Sequence, residues 1–211
     1  MKKAFILVIL ILLVDQIFKI WIKTTMYLGE SHPVLGHWFY LHFTENDGMA
    51  FGMRLGGDWG KLLLSIFRIA AVIAITWWLY RVTRKPVSNL LIICISLILA
   101  GAMGNIIDSA FYGLIFGEST YMKIATLFPP EGGYASFLHG KVVDMLYFPI
   151  LETRLPSWIP FWGGDEFIFF RPVFNIADSS ITTGVLIMIV FQKKIFTSPA
   201  TSAQSEVTSS Q

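Results

Sequence analysis

The residues best suited to chemistry lie at the start of the last long apolar run. Residues 173–191 are about long enough to cross a bilayer, yet their first two turns contain Asn175, Asp178, Ser179 and Ser180. An ionised Asp near a bilayer centre costs roughly 2.5–3.5 kcal/mol, so a sequence that keeps one there usually has a use or a partner for it. Asp178 is therefore a functional candidate. A polar cluster that only bridges neighbouring helices is the alternative.

A second carboxylate, Asp144, lies in the apolar patch 141–149, which is too short to span a bilayer. Such a patch can dip into the membrane as a re-entrant or half-buried segment, which would bring Asp144 near Asp178. The alternative is a surface Asp in an interfacial helix. Two carboxyl groups in a partly dry site favour sharing one proton, and so offer a base and an acid together. That is the chemistry of aspartic proteolysis.

Other polar side chains lie in the remaining apolar runs. Asn105 and Asn175 can donate amide hydrogen bonds that orient a carboxylate or a substrate carbonyl. Asp15 and Lys19 are four residues apart on one helix face, so an internal ion pair is the structural alternative for both. Asp15, Asn105, Asp108 and Asp178 all fall in the outer half of the predicted bilayer. Independent polar substitutions would have no reason to agree in depth.

Composition identifies the class of protein. Of the 211 residues, 55% are apolar and 14% are charged, and the apolar residues form long blocks, as in polytopic membrane proteins. The net charge of +2 is too small to indicate nucleic-acid binding. The one cysteine, Cys94, excludes an intrachain disulfide, and the four histidines lack metal-ligand spacing, so we expect neither a metal nor a cofactor.

The apolar blocks predict a membrane-embedded all-α core of four transmembrane helices. The predicted spans are residues 4–23, 61–81, 88–110 and 172–192. Basic residues near the inner ends place both termini in the cytoplasm and the segments 24–60 and 111–171 outside. These basic residues are Lys2, Lys3, Arg81, Arg84, Lys85, Lys193 and Lys194.

The outer segments predict a small sheet and an extended loop. Residues 37–44 alternate and are rich in aromatics, which is typical of a strand. The following residues 46–52 include Gly48, where a tight turn or a close backbone approach is expected; a simple hairpin turn is the alternative. Residues 111–171 predict an enlarged cap. We expect one integral-membrane domain over residues 1–196 and a disordered cytoplasmic tail over 197–211.

Five short motifs resemble those of the lipoprotein signal peptidases (signal peptidase II), which are bacterial inner-membrane aspartyl peptidases with four transmembrane helices. The motifs occur in the family's order and on the expected elements. They are Asp15-Gln16-Ile17-Phe18-Lys19, Asn46-Asp47-Gly48-Met49-Ala50-Phe51-Gly52, Gly101-Ala102-Met103-Gly104-Asn105-Ile106-Ile107-Asp108, Val142-Val143-Asp144 and Phe174-Asn175-Ile176-Ala177-Asp178-Ser179.

The resemblance implies that Asp144 and Asp178 form a catalytic dyad facing the outer leaflet. The implied reaction is cleavage of a prolipoprotein on the amino side of a cysteine that carries a diacylglyceryl group. The implied partners are lipid-modified prolipoproteins and membrane lipids, and we expect a monomer. Residues expected to support the dyad or hold substrate are Asp15, Lys19, Asn46, Gly48, Asn105, Asp108, Asn175 and Ala177.

The chain departs from the family pattern in two places. Ser109 stands where the family often has an Arg directly after the third-helix Asp, so a contact of that Arg must be replaced or lost. Arg68, Arg154 and Arg171 are candidate substitutes. The stretch from Ser109 to Phe174 is also longer than expected, and its role stays open.

Two interpretations of other classes compete with an enzyme. A small transporter or channel subunit would use Asp15, Asp108 and Asp178 to relay protons or coordinate a cation, but the inner halves of the spans are apolar. A lipid-binding scaffold without activity would keep the helices but would not need both Asp144 and Asp178.

Overall fold

The computed structural model describes residues 2–47, 57–149, 151–154, 156–158, 164, 166–169 and 172–196. At residues 57, 58, 151–154, 166–169 and 196 only the backbone is described.

Long apolar helices form most of the described chain. They are α1 (Lys2–Thr25), α2 (Gly57–Val82) and α3 (Asn89–Ile107). By length and composition, three helical stretches within the described ranges could cross a membrane: Lys2–Thr25, Trp59–Val82 and Asn89–Ile115. These stretches contain the predicted spans 4–23, 61–81 and nearly all of 88–110. Large side chains such as Leu63 (69% exposed) and Phe67 (68% exposed) point outward, as expected where lipid covers a helix.

The C-terminal end of α3 is irregular. The helix passes at Asp108 into a π-helical turn, Asp108–Tyr112, and then into the single turn α4 (Gly113–Ile115). A π-helical turn widens the helix locally and is frequent at functional sites. Asp108, Ser109 and Tyr112 in this turn are all buried.

The fourth predicted span is shorter in the structure than in the sequence prediction. Helix α5 (Ile176–Val190) has 15 residues and is followed by α6 (Gln192–Phe196). At 1.5 Å per residue α5 is about 22 Å long, against a hydrocarbon core of about 30 Å. The predicted start at residue 172 is wrong because Val173–Phe174 forms strand β6, which pairs with Leu146 and Tyr147.

A small antiparallel sheet is present, as predicted. Its strands are β1 (Ser31–Leu35), β2 (Phe39–Asn46), β3 (Val142–Tyr147) and β6, in the order β1-β2-β3-β6. The strand expected at residues 37–44 is β2, shifted by two residues. A separate hairpin pairs β4 (Leu151–Arg154) with β5 (Glu166–Phe169).

Residues 141–149 contradict the alternative of a surface Asp in an interfacial helix. They contain strand β3, and Asp144 is 2% exposed. The backbone of β3 is satisfied by β2 on one side and by β6 at Leu146 and Tyr147. An apolar patch whose strand partners supply its hydrogen bonds has no need of helical bonds within itself.

The chain divides into two compact units. One contains α1 up to Asp15, α2 from Ile66, α3 up to Ile106, and α5 with α6; the other contains the rest. In the second unit a hydrophobic core joins the C-terminal end of α1 to β2, β3 and the segment that follows α3. Its buried members are Ile22, Met26, Phe43, Tyr112, Phe116, Val143 and Met145.

Candidate active site

Asp144 is held by two asparagine side chains. Asn175 Nδ2 donates to Asp144 Oδ1 at 2.6 Å and also approaches the Val143 carbonyl at 3.3 Å. The Asn46 side-chain amide donates to the other carboxylate oxygen, Oδ2. Asn46 is the last residue of β2 and Asn175 follows β6, so both strands that flank β3 end in a donor to Asp144. The orientation of this carboxylate is therefore fixed from both sides.

Asp178 lies in the first turn of α5, where the helix dipole favours negative charge. Asn105 of α3, itself 7% exposed, donates its side-chain amide to Asp178 Oδ1 at 2.7 Å. Each of the two predicted catalytic carboxylates thus accepts an asparagine amide. Asn105 and Asn175 were predicted to donate to a carboxylate or a substrate carbonyl, although the sequence did not assign each to its partner.

Asp15 caps the helix that carries Asp178. It is fully buried, and its Oδ1 accepts the backbone N–H of Ala177 at 2.9 Å. A carboxylate that satisfies an unpaired N–H at a helix N-terminus stabilises the helix there. Gly104 lies next to this contact, since a Cβ at its position would be 2.8 Å from Asp15 Oδ2 and 3.0 Å from the Ala177 Cβ.

Lys19 and Asp108 form a buried ion pair, with 2.7 Å between Nζ and Oδ2 and no side-chain exposure on either residue. Asp108 also accepts Gln16 Nε2 at 2.9 Å and the Val143 backbone N–H at 3.3 Å. This network joins α1 and the π-helical turn to the strand that carries Asp144. Asp108 therefore contacts α1 and β3 as well as its own helix.

Gln16 and Tyr112 take part in this network but were not predicted as site residues. The Tyr112 hydroxyl donates to Gln16 Oε1 at 3.1 Å, while Gln16 Nε2 donates to Asp108. Gln16 precedes Lys19 by three residues, so both lie on one face of α1. That spacing was visible in the sequence and could have identified Gln16. The contribution of Tyr112 depends on the π-helical turn, which no sequence pattern indicates.

The remaining predicted residues are placed as follows. Gly48 and Arg171 lie outside the described residues, and the Arg154 side chain is not described. Ser109, where an Arg was expected, is 3% exposed, and its carbonyl accepts the Gly140 N–H at 2.8 Å. Arg68 is partly buried in α2. Within the described ranges, no three His, Cys, Asp or Glu side chains converge as metal ligands.

Comparisons with known proteins now identify the family. A sequence profile of the family described as signal peptidase (SPase) II matches residues 7–193. The chain belongs to the signal peptidase II family. The resemblance drawn from the five motifs is therefore confirmed.

Individual relatives agree with this assignment. The lipoprotein signal peptidase of Porphyromonas gingivalis (strain ATCC 33277) is 55% identical over 185 residues, which cover 87% of this chain and 80% of that protein. The lipoprotein signal peptidase of Amoebophilus asiaticus is 35% identical over 213 residues, covering 99% and 86%. A solved bacterial membrane enzyme is 26% identical, with a TM-score of 0.58 over 92% of this chain and 89% of that one.

Membership in the signal peptidase II family has direct consequences. The chain is a peptidase, hence a hydrolase, and with its long apolar helices it is a bacterial membrane protein. The enzyme interpretation is thereby favoured over the transporter and the inactive scaffold.

Proposed function

We propose that this chain removes the signal peptide from prolipoproteins, cutting on the amino side of a cysteine that carries a diacylglyceryl group, with Asp144 and Asp178 as the catalytic pair. The substrate class follows the relatives, which are lipoprotein signal peptidases. The observation that supports the proposal is the hydrogen bonding of the two carboxylates. Each accepts an asparagine amide, and Asn175, which holds Asp144, is only three residues before Asp178 in the chain.

The pair supplies the proton transfers of peptide hydrolysis. Two neighbouring carboxyl groups hold one proton between them. The ionised group takes a proton from water, whose oxygen attacks the carbonyl carbon, while the protonated group donates to the carbonyl oxygen. The tetrahedral intermediate returns a hydroxyl proton to the group that had donated to the carbonyl oxygen, and the nitrogen takes up the proton that the other group had drawn from water. The C–N bond then breaks and releases the amine of the lipidated cysteine.

The surrounding residues orient this chemistry. Asn46 and Asn175 fix the rotation of the Asp144 carboxylate, and Asn105 fixes that of Asp178. Asp15 holds the first turn of α5 through the Ala177 N–H, and the Lys19–Asp108 pair holds β3 through the Val143 N–H. These last three side chains are structural supports in this proposal, and Gly48 is assigned to substrate binding through the family motif.

The topology follows from the charges at the ends of the helices. Lys2 and Lys3 begin α1 and Lys193 and Lys194 lie in α6, so we place both termini in the cytoplasm of a bacterial inner membrane, with α5 as the fourth span. Arg81, at the end of α2, lies 4.6 Å from the Trp77 ring centroid, as expected at a lipid–water interface. The sheet and the catalytic pair then face the outer leaflet, where the substrate's lipid holds the scissile bond.

A lipid-dependence assay tests the proposal. Purified protein in detergent is given a precursor peptide with an S-diacylglyceryl cysteine, or the same peptide with a free thiol, and the products are identified by mass spectrometry. We expect one cut, directly before the modified cysteine, and a rate at least about tenfold lower on the free thiol, since the lipid supplies binding energy that positions the bond. Equal cleavage of both peptides, or cleavage of neither, would refute the proposal.

A further inference from the structure

A second buried charge cluster lies beside the Asp144 strand and takes no part in the chemistry described above. Lys23 has no exposed surface, and its Nζ contacts Glu45 Oε1 and lies 2.8 Å from Ser119 Oγ. Ser119 Oγ in turn donates to Glu45 Oε1 at 3.1 Å, and Lys141 Nζ lies 3.7 Å from Glu45 Oε2. These four residues, together with Tyr134, are called the Lys23 cluster below.

Tyr134 completes the cluster. Its ring centroid lies 4.9 Å from Lys23 Nζ and 5.6 Å from Lys141 Nζ, both within the range of cation–π attraction. Its hydroxyl accepts the backbone N–H of Lys141 at 2.7 Å, one residue before β3 begins. Burial raises the pKa of Tyr134 above its usual range, so the phenol stays neutral.

The cluster joins four parts of the chain. Lys23 comes from the last turn of α1, Glu45 from β2, Lys141 from the position just before β3, and Ser119 and Tyr134 from the long segment after α4. A buried ion pair needs good geometry and further hydrogen bonds to offset the loss of hydration. Here those bonds come from Ser119, in the long segment after α4. The cluster therefore gives that segment a structural connection to the Asp144 strand.

The pairing of β2 with β3 is irregular, so the register at the end of β2 needs its own stabilising contact. Tyr40 and Leu41 pair with Tyr147 and Leu146, but the register then shifts, and Thr44 pairs with Asp144. Such an irregularity inserts an extra residue in one strand and uncouples the pairing on its two sides. The pairs at the beginning of β2 therefore do not determine the register of the pairs at its end. A slip of one residue at that end would turn the Asn46 side chain to the other face of the sheet.

Glu45 and Asn46 are neighbours in β2, so their side chains lie on opposite faces of the sheet. Glu45 is on the face of the Lys23 cluster, whereas Asn46 donates to Asp144. An ion pair that fixes Glu45 on one face consequently fixes Asn46 on the other.

We propose that Lys23 and Glu45 are positioning residues of the peptidase, which set the end of β2 against β3 so that Asn46 holds the Asp144 carboxylate. Ser119, supplied by the long outer segment, completes their hydrogen bonds. This inference rests on the proposed function, because it assigns the pair's effect to the reactivity of Asp144. Neither side chain contacts substrate in this scheme.

Steady-state kinetics of Lys23→Met and Glu45→Gln on the lipidated precursor test the inference. Each variant should lower kcat by about 10- to 100-fold per folded molecule, the range expected when a catalytic group is misplaced by about 1 Å, with KM within about twofold. The matched controls are Lys123→Met and Glu131→Gln, two exposed residues of the same outer segment, which should leave both constants unchanged. A kcat within twofold of wild type in both cluster variants would overturn the inference.

A double-mutant cycle separates positioning from a general structural effect. If Lys23 acts through Asn46, the Lys23→Met change should lower kcat by less than about threefold once Asn46→Ala has removed the donor. If Lys23 had only a general structural role, Lys23→Met would lower the folded fraction, and its effect on kcat would multiply with that of Asn46→Ala. Fully multiplicative effects on kcat per folded molecule would therefore contradict the inference.

Hydrogen exchange provides a readout that does not depend on cleavage. Lys23→Met should speed exchange of the backbone amides at residues 44–46 and 142–144 by about tenfold or more, while Lys123→Met should not. Unchanged exchange at these amides would overturn the positioning role even if no substrate is cleaved. Wild-type protein that cleaves nothing would instead refute the proposed function, so the two failures are distinguishable.

Discussion

At the scale of single residues, the partner of Lys19 decides its role. The sequence offered Asp15, four residues away, as a local ion-pair partner, and the structure places Asp108, which comes 89 residues later in the chain, 2.7 Å from Lys19 Nζ. A local partner would only lower the cost of inserting α1 into the membrane. The pair with Asp108 also fixes the carboxylate that accepts the Val143 N–H, next to Asp144.

Replacing Lys19 by Met should destabilise the protein by roughly 3–5 kcal/mol, because Asp108 would then be a buried charge without its cation. In a chain of this size we expect the Tm in detergent to fall by about 6 °C or more, as measured by intrinsic fluorescence. The double variant Lys19→Met/Asp108→Asn should recover part of this loss. The surface variant Lys123→Met is the control, and a Tm for Lys19→Met equal to that of the control would contradict the account.

At the scale of elements, α3 and α5 pack closely against each other within the helical unit. A Cβ on Gly101 would lie 2.1 Å from the Ala177 carbonyl oxygen and 2.6 Å from Ile181 Cγ1. The two helices thus meet backbone to backbone, as helices do in membranes where small residues line the contact. This contact sets the position of α5 and hence of Asp178, one residue after Ala177.

Gly101→Ala should therefore separate α3 from α5. Overpacking of this kind costs about 1–3 kcal/mol, so the Tm should fall, and cleavage should slow because the Asn105–Asp178 hydrogen bond is stretched. Ile93→Ala, on an exposed face of the same helix, is the control and should change neither measurement appreciably. If Gly101→Ala keeps the Tm and the cleavage rate of wild type, the close packing is not required.

The elements also show how far the sequence could predict the fold. The long apolar runs gave α1, α2 and α3 to within a few residues, because length and hydrophobicity alone select such helices. Strand β3 was missed because its partner β2 lies about a hundred residues earlier, and a short apolar run does not reveal a distant strand. For the same reason the sequence did not reveal that Asn46 and Asn175 donate to Asp144, although all three residues were identified as candidates.

At the scale of the whole molecule, sequence and structure converge on a membrane peptidase of the signal peptidase II family. The five motifs led to the family assignment because they occur in the family's order along the chain. The sequence could not reveal what the long outer segment does. In the structure that segment supplies Ser119 and Tyr134 to the buried cluster beside β3, which only tertiary contacts can show.

The most direct test of the central claim is cleavage of the diacylglyceryl-modified precursor by wild type, Asp144→Asn and Asp178→Asn. Asn keeps the size and hydrogen bonding of Asp but cannot share a proton, so both variants should lose at least about a thousandfold in kcat while folding and substrate binding are retained. Glu131→Gln, an exposed acid, serves as the control. Near-normal cleavage by either Asp variant would contradict the assignment of Asp144 and Asp178 as the catalytic pair.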